Sequence, residues 1–254
     1  MSSRSHYTLL AAQDLQARIW NIAENGLLDF LRRSPEHQDI LIIYTAFVFG
    51  QYLCWTHILR QQAQFACFAT EERGRTKQLV NLLEKIQNCL NKTKDGDGSA
   101  RGHFKLWKGH QLAIGELMTV SLPDPSGNTE LFCMGYSEFT RRWKAGGKAI
   151  SDSKADHDGG DRPASQSLEN ENAIFRGWFG NIERGIYEAD REQHRGDTTG
   201  LNRIRRLQHL LLELVQTLDP DGARARDSRP VAASPGCTCT RCQKESQKTR
   251  AGNV

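Results

Sequence analysis

Cys237-Thr-Cys239-Thr-Arg-Cys242, near the C-terminal end, is the densest group of metal-capable side chains in the sequence. Closely spaced thiolates can hold a soft metal, and a Cys-x-x-Cys pair can cycle through a disulfide. A structural zinc site takes four ligands, and this segment supplies three. Zinc at Cys237, Cys239 and Cys242 therefore calls for a fourth ligand from another chain or from a distant histidine such as His209. The alternative is an accidental cluster in a polar tail. No other cofactor is expected.

His110 and Glu116 lie in the segment GHQLAIGELM, directly after Lys108. A histidine and a glutamate can act as general base and general acid where a pocket brings them together. The sequence holds no nucleophile elbow, Walker loop, dinucleotide fingerprint or zinc-protease helix beside them. Two such residues six positions apart are more often ordinary hydrogen-bonding groups, so the balance leans away from an enzyme.

Basic residues interleave with aromatic ones in three places. These are Lys105-Leu-Trp107-Lys108, Arg141-Arg142-Trp143-Lys144 and Arg176-Gly-Trp178. Such pairs can grip phosphates while rings stack on planar groups. Lys105, Lys108, Arg141 and Arg142 are accordingly candidate anion or nucleic-acid contacts. Arg203 and Arg206 join them from a later helix, on the expectation that they project away from its apolar stripe. Nucleic acid remains the less favoured partner, because a sequence pI of about 8.7 falls below that of a typical basic domain.

The elements that would position these residues are mostly helical. Over 254 residues with a net charge of +4, apolar periodicity marks helices at about Thr8 to Glu24, Pro35 to Thr70, Thr76 to Leu90, Ser167 to Gln193 and Thr199 to Leu218. Ser34-Pro35-Glu36 is a strong start signal: a capping hydroxyl, a proline suited to the first position, and a carboxylate at the positive dipole end. The period changes to two over Met118 to Leu122 and resumes over Glu130 to Tyr136, which predicts a β-hairpin, followed by a brief helix at SEFTRRW.

The expected fold is therefore mainly α-helical with a small β-hairpin, a helical bundle around a long apolar central helix. Its expected layout is a helical domain over 1–144 with the hairpin at about 116–136, then a disordered linker over 145–166. A helical hairpin over 167–218 and a disordered basic tail over 219–254 complete it. The linker and tail are too poor in large apolar residues to offset the entropy of ordering, and the mean hydropathy of −0.60 reflects them.

Ile40 to Leu59 carries no charged side chain, and sixteen of its twenty residues are apolar or glycine. A stretch of about 20 apolar residues can span a bilayer. It can equally be the buried strut of a bundle, apolar around its whole circumference. The capped start at Ser34, the polar Gln51 and His57 within it, and the amphipathic helices on either side favour the strut. Residues 40–59 as a membrane anchor are the alternative.

The first residues lack a sustained apolar core, so a cleaved secretory signal is not expected. Cys54, Cys67, Cys89 and Cys133 fall within apolar patterns and read as buried small hydrophobes of a reducing compartment. The expected location is thus cytoplasmic, with membrane as the alternative. The expected role is a non-enzymatic helical interaction or accessory protein that meets a protein partner or another copy of itself. A single-pass membrane protein and a small-molecule enzyme with its pocket near the hairpin are the rivals.

Overall fold

Ser34 opens the central helix as its position dictates: its hydroxyl accepts the His37 N–H at 3.3 Å, three residues into the first turn. The computed structural model describes residues 3–66, 73–92, 103–123, 129–152, 164–197 and 199–222. Helix α1 runs over Ser3–Ala23, the central α2 over Pro35–Ala66, and α3 over Arg73–Asn91. After them come α4 (Lys108–Met118), strands β1 (Thr119–Pro123) and β2 (Thr129–Cys133), and α5 (Tyr136–Asp152). Helices α6 (Ala164–Trp178), α7 (Gly180–His194) and α8 (Asn202–Leu218) complete the order, with short 3-10 turns at Leu27–Arg32 and Thr199–Leu201.

The protein is mainly α-helical with one antiparallel hairpin. Thr119 pairs with Cys133, Val120 with Phe132 and Ser121 with Leu131. The Met134 N–H donates to the Met118 carbonyl at 2.7 Å and carries the pairing one step further.

Helix α2 meets α1, α4, α5, α7, β2 and the first 3-10 turn, which explains why its sequence is apolar on every side. Over Pro35–Gln61 it is long and apolar enough to cross a membrane, and 78% of its apolar 18-residue window is buried inside the fold. Its contact with α1 includes a cation. Arg18 donates to the Thr45 hydroxyl and to the Leu41 carbonyl, both at 2.8 Å. Burial pulls its guanidinium down to about 10, which still leaves it charged at neutral pH.

Several boundaries differ from the sequence-based expectation. The segment GHQLAIGELM is a full helix, α4, although Gly109 and Gly115 lower its intrinsic propensity. Gly115 is there for contact: a Cβ at that position would sit 2.9 Å from the His57 Cβ and 3.1 Å from the Leu53 carbonyl, so only glycine lets α4 lie this close to α2. The brief helix at SEFTRRW is a seventeen-residue helix, α5, which continues to Asp152 into the expected linker. Helix α6 already begins at Ala164, and 153–163 lie outside the described residues.

Helix α5 packs along α6, with Gly146 against the Asn172 backbone. The single expected helix over Ser167 to Gln193 is two. It breaks at Phe179, between Gly177 and Gly180, where the ring turns fully into the core. Helix α8 packs against α1 and α3 rather than pairing along α6 or α7. One contiguous apolar core therefore includes residues from both sides of the expected linker.

Candidate functional site

Helices α2, α3 and α4 leave a cleft of about 380 Å³ between them. Its apolar wall is made by Leu53, Leu83, Ile86 and Leu112, and its polar lining by Tyr52, Thr56, His57, Arg60, Gln61, Gln87, Lys108 and Gln111. The volume falls within the usual range for small-molecule sites.

Its electrostatics are one-sided. Arg60 and Lys108 are cations, and no carboxylate stands among the described lining residues. Arg60 is fixed by donating to the Leu83 carbonyl at 3.2 Å, which leaves its remaining N–H groups for the cleft. Gln111 is anchored by donating to the Leu106 carbonyl at 2.8 Å and to the Gln87 carbonyl at 3.1 Å. His57 and Gln61 meet at 2.9 Å, one turn apart on α2. The Thr56 hydroxyl donates to the Leu53 carbonyl of its own helix at 3.0 Å. Burial pushes the Tyr52 phenol far up, with the Arg60 charge opposing, so it enters the cleft as a neutral donor. No hydroxyl or thiol among the described lining residues is paired with a base for nucleophilic attack.

No family model, curated protein or solved structure matches this chain.

Of the residues singled out from the sequence, Lys108 lines the cleft. His110 and Glu116 do not line it. The His110 ring packs edge-on against Trp178 at 5.4 Å, and Glu116 is exposed. Six residues along a helix turn the second side chain about 240° from the first, so the two point to different sides of α4. Cys237, Cys239 and Cys242, and with them the zinc expectation, lie outside the described residues. Among the described residues, no three histidine, cysteine or acidic side chains gather as a metal site.

The basic–aromatic alternation is largely satisfied within the chain. The Lys105 ammonium lies 3.5 Å above the Trp107 ring, and the Arg176 guanidinium 5.1 Å above the buried Trp143 ring. Arg203 and Arg206 do not project from α8 but are buried. The reason is that α8 packs on two sides, against α1 and against α3, which leaves little of its circumference to solvent. Sequence periodicity found Lys108 but not its partners Arg60 and Gln111, because they come together only when three helices meet.

Arg141 and Arg142 both hold Glu138, at 2.7–2.9 Å. These hydrogen bonds keep the Glu138 carboxyl down at about 2. A carboxyl depressed in the folded state stabilises above its unfolded value, near 4.3, and that contribution is lost as pH falls towards 2. The expected NMR titration midpoint of Glu138 is near 2, moving back towards 4 in the Arg141→Ala, Arg142→Ala double variant. An ordinary midpoint in the unmodified protein would remove this ion-pair cluster from the account.

Proposed function

We propose that the chain is a non-enzymatic helical binding protein that takes a small organic anion in the cleft between α2, α3 and α4. One observation carries this reading. Arg60 and Lys108 stand over an apolar wall, with no carboxylate among the described lining residues to neutralise them. A ligand with an apolar body and one carboxylate or phosphate would bury the body against Leu53, Leu83 and Ile86. Its head group would meet Arg60 and Lys108. Leu112, on the wall and 52% exposed, gives the mouth an apolar edge where a protein partner could sense whether the cleft is filled.

Calorimetric titration with a series of medium-length carboxylates and organic phosphates is the direct test. Binding should weaken at least tenfold in Lys108→Glu, a loss of about 1.4 kcal/mol or more, and fall further in an Arg60→Gln, Lys108→Glu double variant. Neutral amides of the same length should bind no better than the double variant does. Affinity unchanged by the reversal at Lys108, or equal for acid and amide, would overturn the proposal.

A second reading follows from the length of α2, which suits a bilayer span over Pro35–Gln61. We propose a cytoplasmic location instead, a reading supported by the packing of α1, α4 and α5 on α2, which a span would strip of that apolar surface. Recovery in salt buffer without detergent supports that location. A chain that leaves the membrane pellet only with detergent argues for the span.

A further inference from the structure

We propose that Cys54 and Cys133 form a reactive dithiol that closes to a disulfide under a peroxide, tying the central helix to the hairpin. Cys54 faces the hairpin from α2, its sulfur 3.4 Å from the Thr119 hydroxyl and 4.0 Å from the Phe132 carbonyl. Thr119 is the register partner of Cys133 across the sheet, and Phe132 is its chain neighbour. Register partners lie on the same face of a sheet, so Cys133 shares the face from which Thr119 meets Cys54, and both thiols are free. A sulfur that already touches the register partner and the chain neighbour of Cys133 has a short way to move to the covalent S–S distance of about 2.05 Å.

The pair also ionises as a unit. The hydrogen bond from the partner thiol favours the first thiolate, Cys54 being drawn below the ordinary thiol range. That same bond, together with burial and the charge it leaves, pushes Cys133 far above it. The two shifts run in opposite directions, so the first ionisation belongs to the pair rather than to either residue. A shared thiolate is the reactive form of cysteine. Cys89 is the contrast: burial, its largest influence, raises it, and it lies sealed beneath α8.

Cys133 is half-buried and Cys54 fully buried, so a peroxide reaches Cys133 first. As the Cys54 thiolate takes up the Cys133 proton, the Cys133 sulfur attacks one peroxide oxygen, the O–O bond breaks, and the departing hydroxide takes a proton and leaves as water. Cys133 is now a sulfenic acid. The Cys54 sulfur attacks the Cys133 sulfur, the S–S bond forms, the S–O bond breaks, and a second water leaves. In sum, two thiols and one hydrogen peroxide give one disulfide and two waters, with two electrons passing from sulfur to oxygen. The bond closes the chain between α2 and β2, and because β1 follows α4 without a break, it also restrains the far end of the helix that walls the cleft.

The experiment exposes the whole folded chain to hydrogen peroxide, alkylates the remaining thiols under denaturing conditions, and maps the peptides. The expected product is a Cys54–Cys133 peptide pair two hydrogens lighter than its separate parts and split again by dithiothreitol, with Cys89 alkylated throughout. Oxidation should raise Tm in the unmodified protein and leave it unchanged in Cys133→Ser. The proposal is overturned if both thiols remain alkylatable, or if Cys133 advances to a sulfinic acid without cross-linking. It is also overturned if either sulfur pairs only with a tail cysteine.

Discussion

Replacing Phe139 with alanine lowers the unfolding free energy by about 3–5 kcal/mol, in the range for truncating a fully buried aromatic side chain. Phe139 is wholly buried on α5, and four rings from other turns close around it. Phe47 of α2 stands at 5.6 Å, Trp143 at 5.7 Å, Phe175 of α6 at 5.3 Å and Phe179 at 5.1 Å. Most of these are edge-to-face contacts, each worth about 0.5–1.5 kcal/mol beyond the area buried. Removing the central ring leaves a cavity that three helices border, and none of them can collapse into it without giving up its other contacts. Urea unfolding of Phe139→Ala beside Phe139→Leu measures the effect, with leucine expected to retain much of the stability. A loss under 1 kcal/mol for alanine would mean the aromatic cluster is not packed as described.

The second large effect is at Arg203, where methionine should cost about 3 kcal/mol and lower Tm by roughly 6–12 °C for a chain of this size. The last four carbonyls of a helix have no partner within it, and around the end of α3 several carbonyls are met by groups from beyond the helix. The Gln87 carbonyl accepts from Gln111 at 3.1 Å, and that of Asn88 from the Lys92 N–H at 3.0 Å. The Leu90 carbonyl accepts from the Leu106 N–H at 2.9 Å. The guanidinium of Arg203 donates to the Cys89 carbonyl at 3.0 Å and to that of Lys92 at 2.7 Å.

A cation at this position also meets the negative end of the helix dipole, which is how a wholly buried arginine is tolerated. Methionine fills the volume but leaves the carbonyls dry and unpaired. Lysine, with one compact donor group in place of a fork, should recover only part of the loss. Thermal unfolding of the three proteins decides it. If methionine matches arginine, the cap does not contribute to stability.

Much of the fold was legible in the sequence because local signals agreed with it. Ser34 caps α2, and the stripe Ile204, Leu207, Leu211, Leu214 and Leu218 is buried along α8. Alternation around Val120 and Phe132 found the hairpin. What escaped was decided by contacts between distant segments. Gly115 reads as a helix breaker until α2 is seen lying against it. Arg203 reads as a solvated charge because its partner is 114 positions away. The break at Phe179 had a local signal in the two flanking glycines, but the pull that turns the ring inward comes from Phe139 and Phe175.

The cleft was legible in one residue, Lys108. Arg60 and Gln111 carry no pattern of their own, since a charge following an apolar run and an amide inside a short helix are both common on surfaces.

The packing of α1 against α8 has a consequence in time. Ribosomes add about 5–20 residues each second, and Asn202 follows Ala23 by 179 positions in the chain. For roughly 10–40 s, the newly made first helix must therefore wait for one of the two helices that cover it. A nascent chain stalled before Asn202 should recruit a chaperone or bind a hydrophobic dye, and one stalled well beyond Leu218 should do neither.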